Sequence, residues 1–330
     1  RPCQKAPCRE AIEMNLAVLQ ELACPQCRDE RGLHVSSGSE VHGTDLLCGY
    51  LECQCGHAYP VIDGAALLVR GWKSELSKHR RYLERSVPSM TVPEELRGEF
   101  AFTSRVEPAV AEEVLPYVFN HLCFSGIAFD KNPTDEVRSP RLTALLAESA
   151  ASGPYQLLRR YAEGGRGARH LDIGCSVGTA IAISAEQGAD ISLGLDISFP
   201  AVHAGRAMIP VSVDRKHGVA ELVVGEAESL PVRSAAWSLV SALNVVDAVD
   251  VPSAVVNELS RAVAPDGQLL IAAPFREDSI NFMGGTSGLL QVEEVLDIPW
   301  IILRGPRYLE FLSVDAYVYH RPAQADAERS

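Results

Sequence analysis

The chain has 330 residues, 47% of them hydrophobic and 22% charged, with a net charge of −13. That length and balance allow two domains around a sizeable core, and no apolar run reaches the roughly 18 residues that a membrane-spanning helix requires. The acidic excess lies in the segment from Arg166 to Ser330, which carries 12 basic against 21 acidic residues. Such a surface repels phosphate backbones unless a local basic patch intervenes.

The polar start "RPCQKAPCREAIE" has no apolar signal-peptide core. Met14 reads as a natural start, with residues 1–13 as an upstream extension, and the expected compartment is the cytoplasm. The nine cysteines are an odd number, and several are closely spaced near the N-terminus. In a chain without a secretory signal this favours metal binding over disulfides.

Residues 14–70 read as a small module: Cys24-x2-Cys27, a polar loop, Cys53-x-Cys55, then "YPVIDGAALLV". Cys24, Cys27, Cys53 and Cys55 could supply four thiolates to a tetrahedral zinc, each pair on a tight turn helped by Pro25 or Gly56. C-x-C is the less usual spacing, so Cys48 or His57 could replace one ligand. A module this small buries too little apolar surface to fold unaided, so the zinc is expected to be structural. The run "CGHAYPVIDGAALL" resembles the zinc-ribbon family of tRNA-methyltransferase activators. Tyr59, Pro60, Asp63, Gly64 and Leu67 match that pattern, and Ala66 stands where the family has proline.

Residues 71–165 read as a helical linker or cap. "RGWKSELSKHRRYLER" (Arg70–Arg85) carries six basic residues against two glutamates. It is either a solvated helix face or the one local patch that could meet nucleic acid. "PAVAEEVLPYVFNHL" and "SPRLTALLAESA" have apolar residues at helical spacing. Tyr155 and His121 fall in this region, either closing over a site or packing as ordinary core or surface residues. Cys123 and Cys175 read as small packing residues.

From residue 166 to 322 the pattern changes. "ARHLDIG", "ISLGLDI", "AELVVGEA", "WSLVSALNV" and "GQLLIAAPF" alternate with helical runs, and the last segment holds two β-like stretches around "RGPR" that must be antiparallel. Strand–helix alternation implies an α/β, doubly wound, mostly parallel sheet, seven-stranded with the terminal pair.

The first of these strands ends in "LDIGCSVGT". A parallel strand opening into D-x-G-C-x-x-G lies at the carboxyl edge of the sheet, where ligands bind. Gly174 and Gly178 let backbone approach a ligand. The spacing is not that of a dinucleotide fingerprint, Asp172 would repel a pyrophosphate, and no lysine follows as in a phosphate loop. An acid at such a turn suits a cationic or amino-bearing ligand. The second strand ends in Asp196, which could accept both hydroxyls of a ribose, and the third leads to Glu226 and Ala227, beside a possible adenine.

Together, "LDIGCSVGT", "GLDIS", "GEAESLPV", "SLVSALNVVDAV" and "VAPDGQLLIAAP" resemble, in order and spacing, the class I S-adenosylmethionine-dependent methyltransferases of the methyltransferase type 11 group. The resemblance implies S-adenosylmethionine as cofactor. It assigns Asp172, Gly174, Cys175 and Gly178 to the methionine part and its backbone contacts, Asp196 to the ribose, and Ile197 to the flank of the adenine. Glu226 and Ala227 fall at the adenine edge, and Asn244 lies beside the methyl group. Ser176 replaces a usual glycine, Ser238 a usual acid, and Glu226 is one carbon longer than the usual aspartate.

The reaction expected is direct in-line transfer of a methyl group to a small-molecule acceptor. The glycine-rich stretch Asn281–Leu290 is a candidate substrate lid, or a plain connecting loop. Asp247 is the candidate substrate-facing acid or base, the alternative being a helix cap or solvated acid. The terminal "LDIPWIILRGPRYLEFLSVDAYVYHR" and the C-x-V-G loop resemble the methyltransferase domain of ovothiol biosynthesis, a likeness that names no substrate. One alternative is an RNA base methyltransferase using the ribbon to bind RNA. A zinc ribbon before this fold is also the layout of rRNA guanine-N1 methyltransferases, but "AAPFREDSIN" stands where that family has a T-P-G-P-x-H-L-like run. The other is a non-catalytic scaffold whose ribbon docks a partner. The sequence assigns neither an oligomeric state nor a membrane partner.

Overall fold

The computed structural model describes residues 13–29, 31–80, 82–83, 93, 96, 140–141, 144–145, 153–162, 167–212, 218–274, 286, 288–305 and 308–323. The expected helices around residues 108–122 and most of 139–150, together with His121, Cys123 and most of Asn281–Leu290, lie outside them; residues 140–141 and 144–145 are helical.

The doubly wound half starts from strands whose residues are apolar on both faces. These are β7 (Arg169–Ile173), β8 (Ile191–Asp196), β9 (Val219–Gly225), β10 (Trp237–Leu243) and β11 (Val263–Ala273), each preceded or followed by a helix. Near-continuous burial along β7, β8 and β10 is what a parallel sheet covered on both faces requires. The helices here are α2 (Pro154–Ala162), α3 (Thr179–Glu186), α4 (Phe199–Ser212) and α5 (Pro252–Ala262). The long terminal strands β12 (Leu290–Gly305) and β13 (Tyr308–His320) form the expected antiparallel hairpin, with β13 inserted between β11 and β12. The resulting order β9-β8-β7-β10-β11-β13-β12 is the expected seven-stranded, mostly parallel sheet.

The N-terminal module comprises β1 (Met14–Asn15), β2 (His34–Val35), β3 (Glu40–His42), β4 (Asp45–Glu52), β5 (Ala58–Ile62) and β6 (Ala65–Leu68), followed by the short helix α1 (Trp72–Lys78). Asp63 and Gly64 both take positive φ, 49° and 74°, between paired Ile62 and Ala65. That is the two-residue turn that lets β5 and β6 pair with the twist of a hairpin. Strand β6 then runs parallel to β9, with Leu67 opposite Val224 and Leu68 opposite Gly225. The N-terminal module therefore continues the parallel sheet rather than standing apart from it. It does so at the β9 edge, at the far end from the β12–β13 hairpin.

Polar contacts lock this junction. Glu221, buried on β9, accepts from the Asn15 backbone N–H at 2.8 Å, from its neighbour Leu222 N–H at 2.9 Å, and from the buried Arg206 guanidinium of α4. Arg206 also donates to the Leu222 carbonyl at 2.9 Å. Asp63 of the β5–β6 turn meets His203 Nε2 at 2.9 Å, and Tyr82 Oη meets the other ring nitrogen at 2.8 Å.

Removing one member of a buried ion pair strands the other, at a cost of about 3–5 kcal/mol. Glu221→Ala should therefore lower the urea unfolding free energy by that amount. The double change Arg206→Met with Glu221→Leu should recover most of the loss. Equal losses in the two variants would show that the pair does not clamp the junction.

Candidate active site and cysteine cluster

Strands β7, β8 and β10 are parallel, so their carboxyl ends share one edge of the sheet. The chain order reverses between β7 and β10, and a crevice opens there. A cavity of about 700 Å³ occupies this position. Its wall includes Asp172, Gly174 and Cys175 from the end of β7, Asp196 from β8, and Asn244 and Asp247 after β10.

Asp172 is fully buried. Burial pushes its carboxyl up to about 7, against a Ser241 hydroxyl that donates to Oδ1 at 2.5 Å and favours the charged form. Behind Ser241 stands His170, whose Nε2 lies 2.8 Å from the Ser241 Oγ. Serine has one hydroxyl proton and directs it at Asp172, so His170 Nε2–H is the donor in that contact. Burial depresses His170 to about 3, which keeps the ring neutral. Asp196 is also raised by burial, opposed by the Ser198 and Ser176 backbone N–H groups, each 2.8 Å from a carboxylate oxygen. Each oxygen keeps a second lone pair for a ligand hydroxyl.

Two atoms on the wall lack partners among the described residues. Asn244 Oδ1 and Ser176 Oγ are buried without a hydrogen bond, and both residues hold positive φ, 60° and 51°. Buried orphaned polar atoms are rare, and left-handed non-glycine backbone is costly and clusters at ligand sites. A ligand with donors and acceptors for these atoms would satisfy both.

The other expected contacts lie off the cavity wall. Gly178 (φ 84°) is the N-cap of α3, and a Cβ there would come within 2.8 Å of Ile209. Ile197 is exposed, and Glu226, ahead of Ala227, pairs with Arg70 at 3.3 Å. Helix α5 is capped at Val251, so Asp247 is not its cap and instead faces the cavity.

Several wall residues carry no motif. His79 follows α1 and brings the ribbon side of the chain to Asp196. Trp300, Ile302, Glu310 and Leu312 come from the terminal hairpin, and Tyr155 from α2. Tyr155 is one of the two residues that the sequence offered as closing over a site, and only the apolar alternation of the hairpin strands hints at the four hairpin residues.

At the other end of the chain, the Sγ atoms of Cys24, Cys27, Cys53 and Cys55 all lie within 4.8 Å of one another, with Cys24–Cys55 at 3.7 Å and Cys27–Cys53 at 3.5 Å. Four thiolates about 2.3 Å from a tetrahedral zinc would stand about 3.8 Å apart, so the donor set fits that ion. Cys48 is outside the cluster, on β4 opposite Glu40. His57 sits beside it, Nδ1 3.2 Å from Cys55 Sγ, and the Tyr59 hydroxyl reaches Cys24 Sγ at 3.2 Å.

Residues 171–271 match the profile of a family described as a methyltransferase domain. No curated protein matches the chain. Similar folds occur among solved structures. One is a complex of the Haloferax volcanii Trm112 methyltransferase activator with a methyltransferase (16% identity, 59% of this chain and 100% of that chain, TM-score 0.42). Another is a TehB-like SAM-dependent methyltransferase from Corynebacterium glutamicum (18%, 58% and 100%, TM-score 0.39). A third is a SAM-dependent methyltransferase from Methanosarcina mazei (14%, 51% and 98%, TM-score 0.42). These likenesses are loose, and the assignment rests on the family match and the strand order. The match makes the segment 171–271 a methyltransferase domain.

A cationic ligand favours ionised Asp172. Because the buried carboxyl is raised above its usual value, affinity for S-adenosylmethionine should climb as pH rises through 7, by up to about tenfold per unit below it. Calorimetric titration between about pH 6 and 8 reads this slope. Asp172→Asn should flatten it, and an unchanged slope in that variant would remove Asp172 from the ligand contact.

Proposed function

We propose that the chain transfers the methyl group of S-adenosylmethionine to a small-molecule acceptor. The observation that carries this reading is the continuity of one cavity. It joins the strand-edge acids Asp172 and Asp196 to a largely apolar wall on the terminal hairpin, so cofactor and acceptor would share one space. When bound, S-adenosylmethionine supplies a methyl group on a positively charged sulfur that departs as a neutral thioether.

Asp172 would receive the amino group of the methionine part, and Asp196 the ribose hydroxyls through its remaining lone pairs. The Gly174 turn brings the backbone to the ligand, with Cys175 packed behind it. Gly178, Ile197, Glu226 and Ala227 would form the outer rim toward the adenine. Asn244 Oδ1 would accept a hydrogen bond from donor or acceptor molecule. Asp247 would take a proton from the acceptor where its nucleophile carries one. The described wall contains acids but neither lysine nor arginine, which disfavours a phosphodiester acceptor such as RNA. Nor do all the cations of Arg70–Arg85 stand ready for phosphate: Arg70 pairs with Glu226 and Lys78 with Glu75.

The cysteine cluster would hold one structural zinc. Its role would be to fix the turns that carry β4, β5 and β6, and through β6 the edge of the catalytic sheet.

Incubation with radiolabelled S-adenosylmethionine and source-cell extract, followed by separation of RNA, protein and small-molecule pools, tests the activity. Label is expected in the small-molecule pool and should be lost in Asp172→Ala. Label in RNA would overturn the acceptor class. Metal analysis should find one zinc per chain. Cys24→Ser should lose that zinc and lower the melting midpoint by at least ~5 °C. A metal-free wild-type chain with unchanged melting would refute the structural role.

A further inference from the structure

Strand β7 puts two polar side chains on one face, since residues two apart point the same way. Asp172 lines the cavity at the strand end, and His170 lies deeper in the sheet. Ser241 of β10 is the partner of Asp172 in the parallel register. All three are buried. They form a chain, with His170 Nε2 at 2.8 Å from Ser241 Oγ and Ser241 Oγ at 2.5 Å from Asp172 Oδ1. The residue opposite His170 is Leu239, which is buried in one cluster with Leu158 of α2 and Ala180 and Ile183 of α3. A polar network in apolar surroundings is costly unless fully satisfied, and this one ends at an unsatisfied atom. His170 Nδ1 is buried without a partner among the described residues.

That atom fixes the direction of the chain. In the reverse order the carboxyl would donate to Ser241, Ser241 to His170 Nε2, and the ring proton would move to Nδ1. A buried N–H would then have no acceptor, at the full cost of its desolvation. Donation therefore runs toward Asp172: ring N–H to hydroxyl, hydroxyl to carboxylate. The other charged and titratable groups offer no substitute. Asp196 at the end of β8 pushes Asp172 toward its neutral form, and the Cys175 thiol beside it is held protonated by burial. Asp247 after β10, Glu310 on β13 and His79 after α1 line the same cavity. On the covering helices, Arg159 and Glu186 pair with each other at 3.6 Å.

Resting on the reading that Asp172 receives the amino group of the methyl donor, we infer that Ser241 and His170 are positioning residues for that contact. His170 aims the Ser241 hydroxyl, and the hydroxyl holds Asp172 as a carboxylate whose second oxygen is left for the ligand. His170 acts only through Ser241.

The test is calorimetric titration of S-adenosylhomocysteine, which keeps the amino group and is not turned over, into the full chain between about pH 5.5 and 8.5. Wild-type affinity should fall as the pH drops and Asp172 takes up its proton. Ser241→Ala should move this acid limb up by about one pH unit, weakening binding about tenfold near pH 6.5 and by no more than about twofold near pH 8.5. His170→Phe should move the limb in the same direction and add nothing when combined with Ser241→Ala. Melting curves establish that each variant is folded, and His170→Leu takes the place of a phenylalanine variant that is not. An acid limb unmoved by Ser241→Ala, equal weakening at every pH as a merely structural role would give, or additive shifts in the double variant would overturn the inference. Failure of the wild-type chain to bind S-adenosylhomocysteine at any pH would instead strike the methyltransferase reading.

Discussion

Everything in this chain depends on how the open edge of a parallel sheet is closed. Strand β9 would otherwise present a row of unpaired backbone groups, a template for unwanted pairing. Strand β6 occupies that row, in parallel with β9. The consequence reaches the cavity: β6 leads through Arg70, which pairs with Glu226, to α1 and then His79 on the cavity wall. The N-terminal module thus contributes His79 to the cavity wall, and its four clustered cysteines lie on the turns before β2 and between β4 and β5.

A second constraint is the burial of acids at the strand ends. A buried carboxylate tends to neutralise itself unless hydrogen bonds or a cation hold its charge. Asp196 is held by two backbone N–H groups. Among the described residues Asp172 has only the serine hydroxyl, with a neutral histidine behind it, and stands raised to about 7. The difference separates their roles. Asp196 is held in place by backbone N–H groups of its own loops, whereas Asp172, raised by burial, would be favoured as a carboxylate by a nearby positive charge.

What the sequence made legible was local. The acid–glycine turn after β7, the acid ending β8 and the asparagine after β10 depend on residues adjacent in the chain, and all reach the cavity. The C-x2-C and C-x-C pairs sit on tight turns, and the structure brings their four sulfurs together. The antiparallel character of the terminal strands followed from the short distance between them. What stayed hidden depends on long-range register. Nothing near His79 marks it as a cavity residue, since it arrives there only because β6 pairs with β9. Glu310 lines the cavity because it lies opposite Ile302 across the hairpin and because β13 is inserted beside β11. The ribbon's placement at the edge opposite the hairpin was equally out of reach, because pairing partners between distant strands leave no local mark.

Hydrogen–deuterium exchange with and without S-adenosylmethionine tests the central claim, that the crevice at the carboxyl edge is the cofactor site. Ligand should slow exchange at the backbone of residues 174–178, 196–198 and 244–248, the loops after β7, β8 and β10. Unchanged exchange in all three loops, or protection confined to the ribbon turns around Cys24–Cys27 and Cys53–His57, would contradict it.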